Sequence, residues 1–288
     1  MTLTEMNRKQ VAIVVPVHAE KLTAEQSISL NQLNTCLKGY DKYVVLPKNL
    51  DVDWANFFTQ KFDQSFFSSN QGYNKLMISK QFYQAFKNYE YILIYQLDSL
   101  VFSDQLLQWC ERGYDYIGAP WFVDVIPEMN WSVQDCVGNG GFSLRKVGTF
   151  LKVLNRYYSH SYRLKESLIQ SYRFVQKITA FIKKQILSGS KSNQKIDFLK
   201  KQSDIGQEDI FWSIKTRDLY PTFNIPPPEE AVSFSFEVNP QYCFQKNGYR
   251  LPFGCHAWTK YDLKFWETFM FNANSIQSHT ANDYISSK

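Results

Sequence analysis

The sequence predicts an α/β protein whose central sheet is mostly parallel and flanked by helices. Short β-branched runs that close with proline alternate with segments whose apolar residues recur at helical spacing. This order of strand, helix, strand, helix and strand is typical of a parallel sheet. The 288 residues, 44% hydrophobic and 20% charged, can bury one sizeable core and do not resemble a disordered chain.

The predicted elements follow one another closely in the first half of the chain. VAIVVPVHA, residues 11–19, is a buried first strand broken by proline, and AEQSISLNQLNTCL is a helix with apolar residues near one face. KYVVLP, residues 42–47, is the second strand. A loop with two Phe pairs then leads to one helix over NKLMISKQFYQAF, residues 74–86, and to the third strand, YILIYQLDSL, residues 91–100.

The second half is less regular. DQLLQWCERGYDYIGAPW predicts a helix and a short strand. In CVGNGGFSLRK, residues 136–146, three glycines within four positions predict a backbone that turns sharply or is approached closely by a ligand. Residues 147–188 are predicted to be helical, SGSKSN to be an exposed linker, and SDIGQEDIFWSIKTR to be a further helix. The strand in IPPPEEAVSFSFEVNP and the loop LPFGCHAWTKYD, residues 251–262, complete the predicted domain.

The positive charge is concentrated in one segment. Between Lys152 and Lys201 there are twelve Lys or Arg against Glu166 and Asp197, although the whole chain has a net charge of only +5. We therefore predict one domain over residues 10–265, a basic helical insert at 152–202 within it, and a C-terminal tail at 266–288. A solvated helical excursion and docking to an anionic membrane face explain the insert about equally well. Nucleic-acid binding is disfavoured because no known binding motif accompanies the charge.

The cysteines and the N-terminus point to a cytoplasmic protein. Five scattered cysteines without a CxxC pair favour neither a disulfide framework nor a zinc site, and they suit a reducing compartment. MTLTEMNRKQ is not a signal sequence, and no stretch approaches the ~18 apolar residues that would span a bilayer. Through the basic insert, peripheral contact with the inner membrane face is the alternative.

A carboxylate ends the third predicted strand. Asp98 follows an apolar run, where an unpaired buried charge would be costly, so we expect it to face a ligand. A strand-end residue that caps a turn is the alternative. Ligands collect beyond the C-terminal ends of parallel strands, and residues 16–18 lie at another such end. The two strand ends are expected to border one crevice.

Four places hold polar residues that the strand and helix patterns do not demand: 96–98, 138–143, 207–209 and His256. Their order resembles the GT-A class of nucleotide-sugar glycosyltransferases, with its D-x-D motif, glycine-rich loop, x-E-D motif and late histidine. YQLDSLVF, YDYIGAPW, GNGGFSLR and EDIFW further resemble a bacterial GT-A-like family long carried as a domain of unknown function. The resemblance spans about residues 10–265, apart from the basic insert.

The resemblance implies sugar transfer from a nucleotide-diphosphate donor, expected to be a UDP-sugar, to a saccharide or lipid-linked saccharide in surface-polysaccharide assembly. It makes Asp98 and His256 the ligands of Mn²⁺ or Mg²⁺, hard cations that stabilise a departing diphosphate. Here Gln96 replaces the first acid of the D-x-D motif, which removes one negative charge. Metal binding is therefore expected to be weak without the donor, and metal independence stays open.

The resemblance also assigns Asp209 as the general base that takes a proton from the acceptor, with inversion at the sugar. Glu208 becomes its supporting or acceptor-binding neighbour. The alternative is that both acids only stabilise the start of a helix. For the donor, Pro16, Val17 and His18 are expected to line the base and ribose. Further donor-binding candidates are Gln96 and Ser99 beside Asp98, Gly140 and Gly141 against the sugar, and Lys75 near a phosphate.

Several of these candidates have a plain structural alternative. Lys75 could be an ordinary solvated lysine, and the glycines could form only a tight turn. Trp121 and Trp258 are candidate stacking surfaces for the acceptor sugar, and core packing explains them equally well.

Two other functions compete with sugar transfer. A non-catalytic nucleotide- or carbohydrate-binding protein is compatible with Gln96. A sugar nucleotidyltransferase should carry a glycine-rich basic loop after the first strand, and VPVHAEKLTAE has none. A P-loop nucleotide triphosphatase is disfavoured because GxxxxGK[ST] is missing, and a metallophosphoesterase needs more ligands than four histidines readily supply.

Overall fold

A computed structural model describes residues 9–122, 136–159, 171, 173–176, 178 and 207–270. The strands are β1 (Lys9–Pro16), β2 (Asp41–Pro47), β3 (Phe57–Phe62), β4 (Tyr89–Tyr95), β5 (Leu100–Val101), β6 (Tyr116–Ile117), β7 (Pro120–Trp121), β8 (Cys136–Val137), β9 (Phe142–Lys146), β10 (Ser235–Phe236) and β11 (Gly254–Cys255). The helices are α1 (Ala24–Cys36), α2 (Asn70–Met77), α3 (Lys80–Ala85), α4 (Leu106–Glu111), α5 (Val147–Tyr157), α6 (Glu208–Ile210), α7 (Thr216–Leu219), α8 (Pro228–Phe234) and α9 (Pro240–Lys246). A 3₁₀ turn (Gln64–Phe66), a π-helical turn between α6 and α7 (Phe211–Lys215) and a helix at 263–270 complete the described elements.

The central sheet has the strand order β3-β2-β1-β4-β9-β6. Its first four strands are parallel, and β9 pairs antiparallel with both β4 and β6. The predicted α/β class with a mostly parallel central sheet and flanking helices is confirmed. Since parallel neighbours end at one edge, the residues after β1 and β4 lie side by side.

Both faces of the sheet are buried. Ile13 and Leu93 pack in one apolar cluster with α1, whereas Val14 and Ile92 pack in a second cluster with α5. Alternate side chains of a strand point to opposite faces, so burial on both sides requires the continuous apolar runs seen in the sequence. A third cluster, around Trp266, covers the small sheet β10-β11-β5 and positions the loop that follows β11.

Three local predictions are wrong. The strand predicted in IPPPEEAVSFSFEVNP is mostly the helix α8, and only the two-residue β10 follows it. The single helix predicted over residues 74–86 is two helices, because Ser69 caps α2 and the side chain of Ser79 accepts a hydrogen bond from the Phe82 N–H to begin α3. The predicted loop with two Phe pairs contains β3, an edge strand that pairs with β2. The exposure of β3 does not alternate along the strand, so its sequence lacks the pattern that predicts one.

The boundaries predicted for the insert and the tail fall inside packed helices. Residues 152–157 belong to α5, where Val153, Leu154 and Tyr157 are buried. Most of the predicted insert, the linker SGSKSN and the start of the helix predicted at 203 lie outside the described residues. In the predicted tail, Trp266 is fully buried within the helix at 263–270. Among the residues with a described structure, no helix is long and apolar enough to cross a membrane.

Candidate functional site

A cavity of about 530 Å³ opens at the C-terminal ends of β1 and β4. Its walls come from the segments after these two strands, from the start of α1 and from the entry into α2. The lining residues are Pro16, Val17, His18, Ala19, Leu22, Gln26, Phe67, Ser68, Ser69, Asn70, Tyr73, Gln96, Leu97 and Asp98. The prediction that the two strand ends border one crevice is confirmed.

The glycine-rich loop between β8 and β9 lies against the end of β4. Asn139 has a left-handed φ of 66°, and its Oδ1 accepts a hydrogen bond from the Gly141 N–H at 3.0 Å. The Gln96 N–H donates to the Gly141 carbonyl at 2.8 Å. These bonds fix the loop beside the strand end that carries Asp98.

Gly140 and Gly141 are glycines because other side chains occupy the space beside them. A Cβ on Gly140 would lie 1.6 Å from Oε1 of Glu208, and a Cβ on Gly141 would lie 2.0 Å from Nε2 of His256. Each distance is far below a permitted contact. Glu208 and His256 are distant in sequence, yet they lie beside two consecutive residues of the loop, Gly140 and Gly141.

The histidine cluster comprises Gln96, Asp98, Glu237 and His256. Nε2 of His256 lies 3.2 Å from Oδ1 of Asp98 and 3.1 Å from Oε1 of Gln96. Nδ1 of His256 lies 3.1 Å from Oε1 of Glu237. Burial opposes protonation of the ring, yet hydrogen bonds to Asp98 and Glu237 raise the pKa of His256 to about 10. Burial likewise opposes ionisation of Asp98, but its hydrogen bond to His256 lowers the pKa of that carboxyl.

The donor atoms of this cluster suit a hard divalent cation. One imidazole nitrogen, one carboxylate oxygen and one amide oxygen converge, while Glu237 holds the other ring nitrogen as carboxylates behind metal-bound histidines do. Within the described ranges, no group of three or more His, Cys, Asp or Glu side chains could hold a metal ion. A cation here would therefore use Asp98, His256 and the Gln96 oxygen, and would need further oxygens from a bound ligand.

The arginine cluster lies on the other side of the loop and comprises Ser143, Arg145, Glu208 and Tyr83. Nη2 of Arg145 donates to Oε1 of Glu208 at 3.0 Å and to the Gly140 carbonyl at 3.1 Å. Its Nη1 donates to the Tyr83 hydroxyl at 2.9 Å, and its Nε donates to the Ser143 hydroxyl at 2.9 Å. Arg145 is completely buried, and a buried charge without a partner is costly. The carboxylate of Glu208 therefore provides the counter-charge that the Arg145 guanidinium needs.

Asp209 follows Glu208 at the start of α6 and is half-buried. Its Oδ1 accepts a hydrogen bond from the Ile210 N–H at 2.8 Å. Burial, then the negative charges of Glu208 and Glu237, raise the pKa of Asp209 to about 7. A carboxylate of this pKa is suited to accept a proton near neutral pH.

The remaining predicted residues lie around this site in different ways. Ser99 is fully buried and donates to the Gly141 carbonyl at 3.4 Å, so it supports the loop from within the core. Lys75 is exposed on α2 and is not among the residues that line the cavity. Trp121 and Trp258 are only 7% and 3% exposed, so both are packed in the core, as the alternative to sugar stacking predicted. The Trp121 ring fills the space beside Gly138, and Trp258 belongs to the third apolar cluster.

Two residues of this candidate site, Glu237 and Arg145, were not predicted from the sequence. Glu237 is a carboxylate at the end of the predicted strand AVSFSF, a weaker form of the signal that identified Asp98. Arg145 alternates with Ser143 on one face of β9, and a charge in a buried strand could have marked it. Neither signal names the partner, because His256 and Glu208 reach these residues only through the fold.

Comparisons with solved structures find glycosyltransferases. An active-site mutant of LgtC gives a TM-score of 0.46 at 12% identity, over 85% of this chain and 86% of that one. The glycosyltransferase GlyE of Streptococcus pneumoniae TIGR4 gives 0.41 at 12% identity, over 87% of this chain and 55% of that one. A glycosyltransferase involved in the glycosylation of the major capsid of PBCV-1 gives 0.41 at 10% identity, over 86% and 92%. At such low identities and TM-scores, these likenesses do not bear on the reaction.

Sequence comparison gives a family rather than an activity. No curated protein matches the chain. The model of a family described as "Protein of unknown function (DUF5672)" matches residues 56–256, well over half of the chain. This match begins after β1 and β2, includes the glycine-rich loop and α6, and ends at His256. The chain belongs to the DUF5672 family.

Proposed function

We propose that this protein is a glycosyltransferase that moves a sugar from a nucleotide-diphosphate donor, a UDP-sugar, to a saccharide or lipid-linked saccharide. One observation carries the proposal: Gly140 and Gly141 bring Glu208 and His256 together beside the strand end of Asp98. The proposed base, Asp209, directly follows Glu208, and the candidate cation site shares Gln96 and Asp98 with a cavity of nucleotide size.

The cavity is proposed to hold the nucleotide of the donor. Pro16, Val17 and His18 contribute backbone and ring surface at one strand end, and Phe67 contributes an aromatic ring across from them. Among the described residues that line the cavity, none is a lysine or an arginine. The negative charge of a diphosphate bound there would therefore need a counter-charge other than a lysine or arginine of the cavity wall.

Asp98 and His256, with the Gln96 oxygen, are proposed to hold Mn²⁺ or Mg²⁺ for this purpose. A divalent ion supplies neutralisation of the negative charge that develops on the departing diphosphate. Binding must displace the proton from His256, whose pKa of about 10 reflects Asp98 and Glu237 once burial is overcome. Affinity for the cation alone should therefore be low and should rise with the donor.

Asp209 is proposed to act as the general base. It takes the proton of an acceptor hydroxyl while the oxygen attacks the anomeric carbon, and the bond to the diphosphate breaks with its electron pair on the phosphate oxygen. This displacement inverts the anomeric centre. Glu208 is assigned as the neighbour that keeps the pKa of Asp209 high, since its hydrogen bond to Arg145 holds it in place.

Thermal-shift measurements with UDP, GDP, other nucleoside diphosphates and UDP-sugars, each with and without Mn²⁺, test the proposal. We expect UDP compounds to raise Tm by mass action, with a larger rise when Mn²⁺ is present. Asp98→Asn should abolish the Mn²⁺ increment, whereas the exposed Asp53→Asn should keep it. The proposal is wrong if no nucleotide shifts Tm of the wild-type protein.

Gln96 in place of an acid keeps one other function open, that of a binding protein without turnover. The release of UDP from UDP-sugars, followed with and without added saccharides, separates the two. An enzyme loses this release in Asp209→Asn while retaining the donor-dependent rise in Tm. A binding protein shows no release in the wild type.

A further inference from the structure

Buried polar atoms without a partner are concentrated in the candidate site. Among the described residues, five buried side-chain nitrogen or oxygen atoms have no hydrogen-bond partner. Three belong to this site: the Tyr73 hydroxyl in the cavity wall, Nδ2 of Asn139 in the glycine-rich loop, and Oε2 of Glu208 beside that loop. The other two are the indole nitrogens of Trp258 and Trp266. Because an unpaired buried polar atom costs free energy, three in one site indicate a group that binds there.

Of these three residues, Tyr73 lines the cavity. Its hydroxyl oxygen is buried, although the residue as a whole is partly exposed. Gln96 is near enough to affect the pKa of Tyr73, but its amide group is not within hydrogen-bonding geometry of the hydroxyl. Burial, and then the negative charge of Glu208, raise the pKa of Tyr73. The hydroxyl therefore keeps its proton at neutral pH and can donate a hydrogen bond.

Tyr73 lies close to both the candidate cation site and Glu208. It lines the cavity together with Gln96 and Asp98, and the charges of Glu208 and Asp98 both act on its hydroxyl. Oδ1 of the next residue, Asn74, accepts a hydrogen bond from the Glu208 N–H at 3.3 Å, which joins α2 to the start of α6. A donor with its base at the end of β1 and its diphosphate at Asp98 would have its sugar on this side of the cavity.

The two unpaired oxygens need opposite partners. The proton of the Tyr73 hydroxyl lacks an acceptor, and Oε2 of Glu208 lacks a donor. A sugar hydroxyl both accepts and donates, so it suits both atoms, whereas a phosphate oxygen only accepts and would be repelled by Glu208. We propose that Tyr73 binds a hydroxyl of the transferred sugar and so contributes to the choice of UDP-sugar. This inference rests on the proposed sugar transfer, and it narrows the donor to sugars that carry a hydroxyl at that position.

Isothermal titration calorimetry in Mn²⁺ with UDP, UDP-glucose, UDP-galactose and UDP-N-acetylglucosamine tests this contact. Tyr73→Phe keeps the ring and removes only the hydroxyl. For the UDP-sugar that the wild type binds most tightly, we expect Kd to rise about fivefold to tenfold, as the loss of one hydrogen bond predicts. Kd for UDP should change by less than about twofold. Without ligand, Tm should stay level or rise, because the variant no longer buries an unpaired hydroxyl.

Tyr43→Phe is the matched control. The Tyr43 hydroxyl lies 3.1 Å from the Tyr89 hydroxyl, and neither residue lines the cavity. This change should lower Tm, because it removes a paired hydroxyl, and it should leave every Kd unchanged. Monodeoxy analogues of the preferred UDP-sugar then identify the hydroxyl that Tyr73 binds. The analogue that lacks this hydroxyl should bind the wild type and Tyr73→Phe equally well.

The outcomes distinguish this inference from the proposed function. If the wild type binds no UDP compound, the sugar-transfer proposal and this inference both fail. If the wild type binds UDP-sugars and Tyr73→Phe binds them as tightly, only this inference fails. Equal losses of affinity for UDP and for the UDP-sugar would mean that the hydroxyl contacts the nucleotide. A lower Tm of Tyr73→Phe with every Kd unchanged would make the hydroxyl a structural group. Either of these results also overturns the inference.

Discussion

The two clusters beside the glycine-rich loop satisfy their charges in opposite ways. In the arginine cluster, the side chains of Arg145 and Glu208 are 0% and 5% exposed and pair with each other. In the histidine cluster, the Asp98 side chain is 48% exposed and pairs with His256. The first cluster carries its own permanent cation, whereas the second carries a proton on His256, which we propose a metal ion displaces. One loop thus separates a fixed charge pair from an exchangeable one.

This difference assigns different tasks to neighbouring residues. A buried pair of fixed charges costs free energy when one partner is removed, so it belongs to the framework. A half-exposed carboxylate next to a histidine can change its partner without unfolding the protein. Asp209 is influenced by both clusters. It directly follows Glu208 of the arginine cluster, and the negative charge of Glu237 in the histidine cluster helps to raise its pKa.

Removal of Arg145 should have the largest effect on stability. Arg145→Met leaves Glu208 buried and unpaired, so we expect the free energy of unfolding to fall by about 3–5 kcal/mol in urea titrations. Arg112→Met, which breaks the half-exposed pair with Glu230, should cost less than about 1 kcal/mol. Adding Glu208→Gln to Arg145→Met should recover part of the loss. Equal losses at Arg112 and Arg145 would contradict the contrast.

Replacement of the proposed base should separate turnover from stability. Asp209→Asn should lower sugar transfer by about 10²-fold or more, whereas the exposed Asp218→Asn should be neutral. Because the folded-state pKa of Asp209 is raised to about 7, the free energy of unfolding falls as the pH rises from the unfolded-state pKa to about 7 and stays at the lower value above it. Asp209→Asn should therefore raise Tm more at about pH 8 than at about pH 5. A gain that is larger at the lower pH would refute the assigned pKa.

The two glycines test the clusters one at a time. Gly140→Ala forces a Cβ against a carboxylate that Arg145 holds, so we expect a loss of about 1–3 kcal/mol in the free energy of unfolding. Gly141→Ala displaces His256, and we expect mainly a loss of about tenfold in Mn²⁺ affinity in the presence of UDP. Gly39→Ala, where nothing lies within 4 Å of the added Cβ, is the control for both. The contrast between the clusters fails if both variants change the same property.

The smallest expected change in activity is a shift in pH dependence, measured on folded Glu208→Gln because this variant also leaves Arg145 unpaired. Glu208→Gln removes a negative charge that raises the pKa of Asp209, so the acid limb of kcat/KM should move to lower pH. The wild-type limb is expected near pH 7, and the shift is expected to be about one unit or less. Glu229→Gln, in the first turn of α8, is the control. A limb that moves to higher pH would show that Glu208 does not act on Asp209 by its charge.

The sequence alone determined the parallel sheet and the positions where polar residues end its strands. Runs that are apolar on both faces and stop at proline or a carboxylate are typical of buried parallel strands, so Pro16, Asp98 and their shared crevice could be predicted. The sequence also singled out the loop at 138–141 and the basic insert. These features are local, because each is encoded by residues that are close together in the sequence.

Only the tertiary structure decided which side chains meet. Glu237 joins His256, Arg145 joins Glu208, and Trp121 and Trp258 turn out to be packed rather than exposed. It also gave Gly140 and Gly141 a definite reason, the side chains of Glu208 and His256 beside them. Contacts across tens of residues depend on how helices and loops pack over the sheet, and no periodicity records that packing.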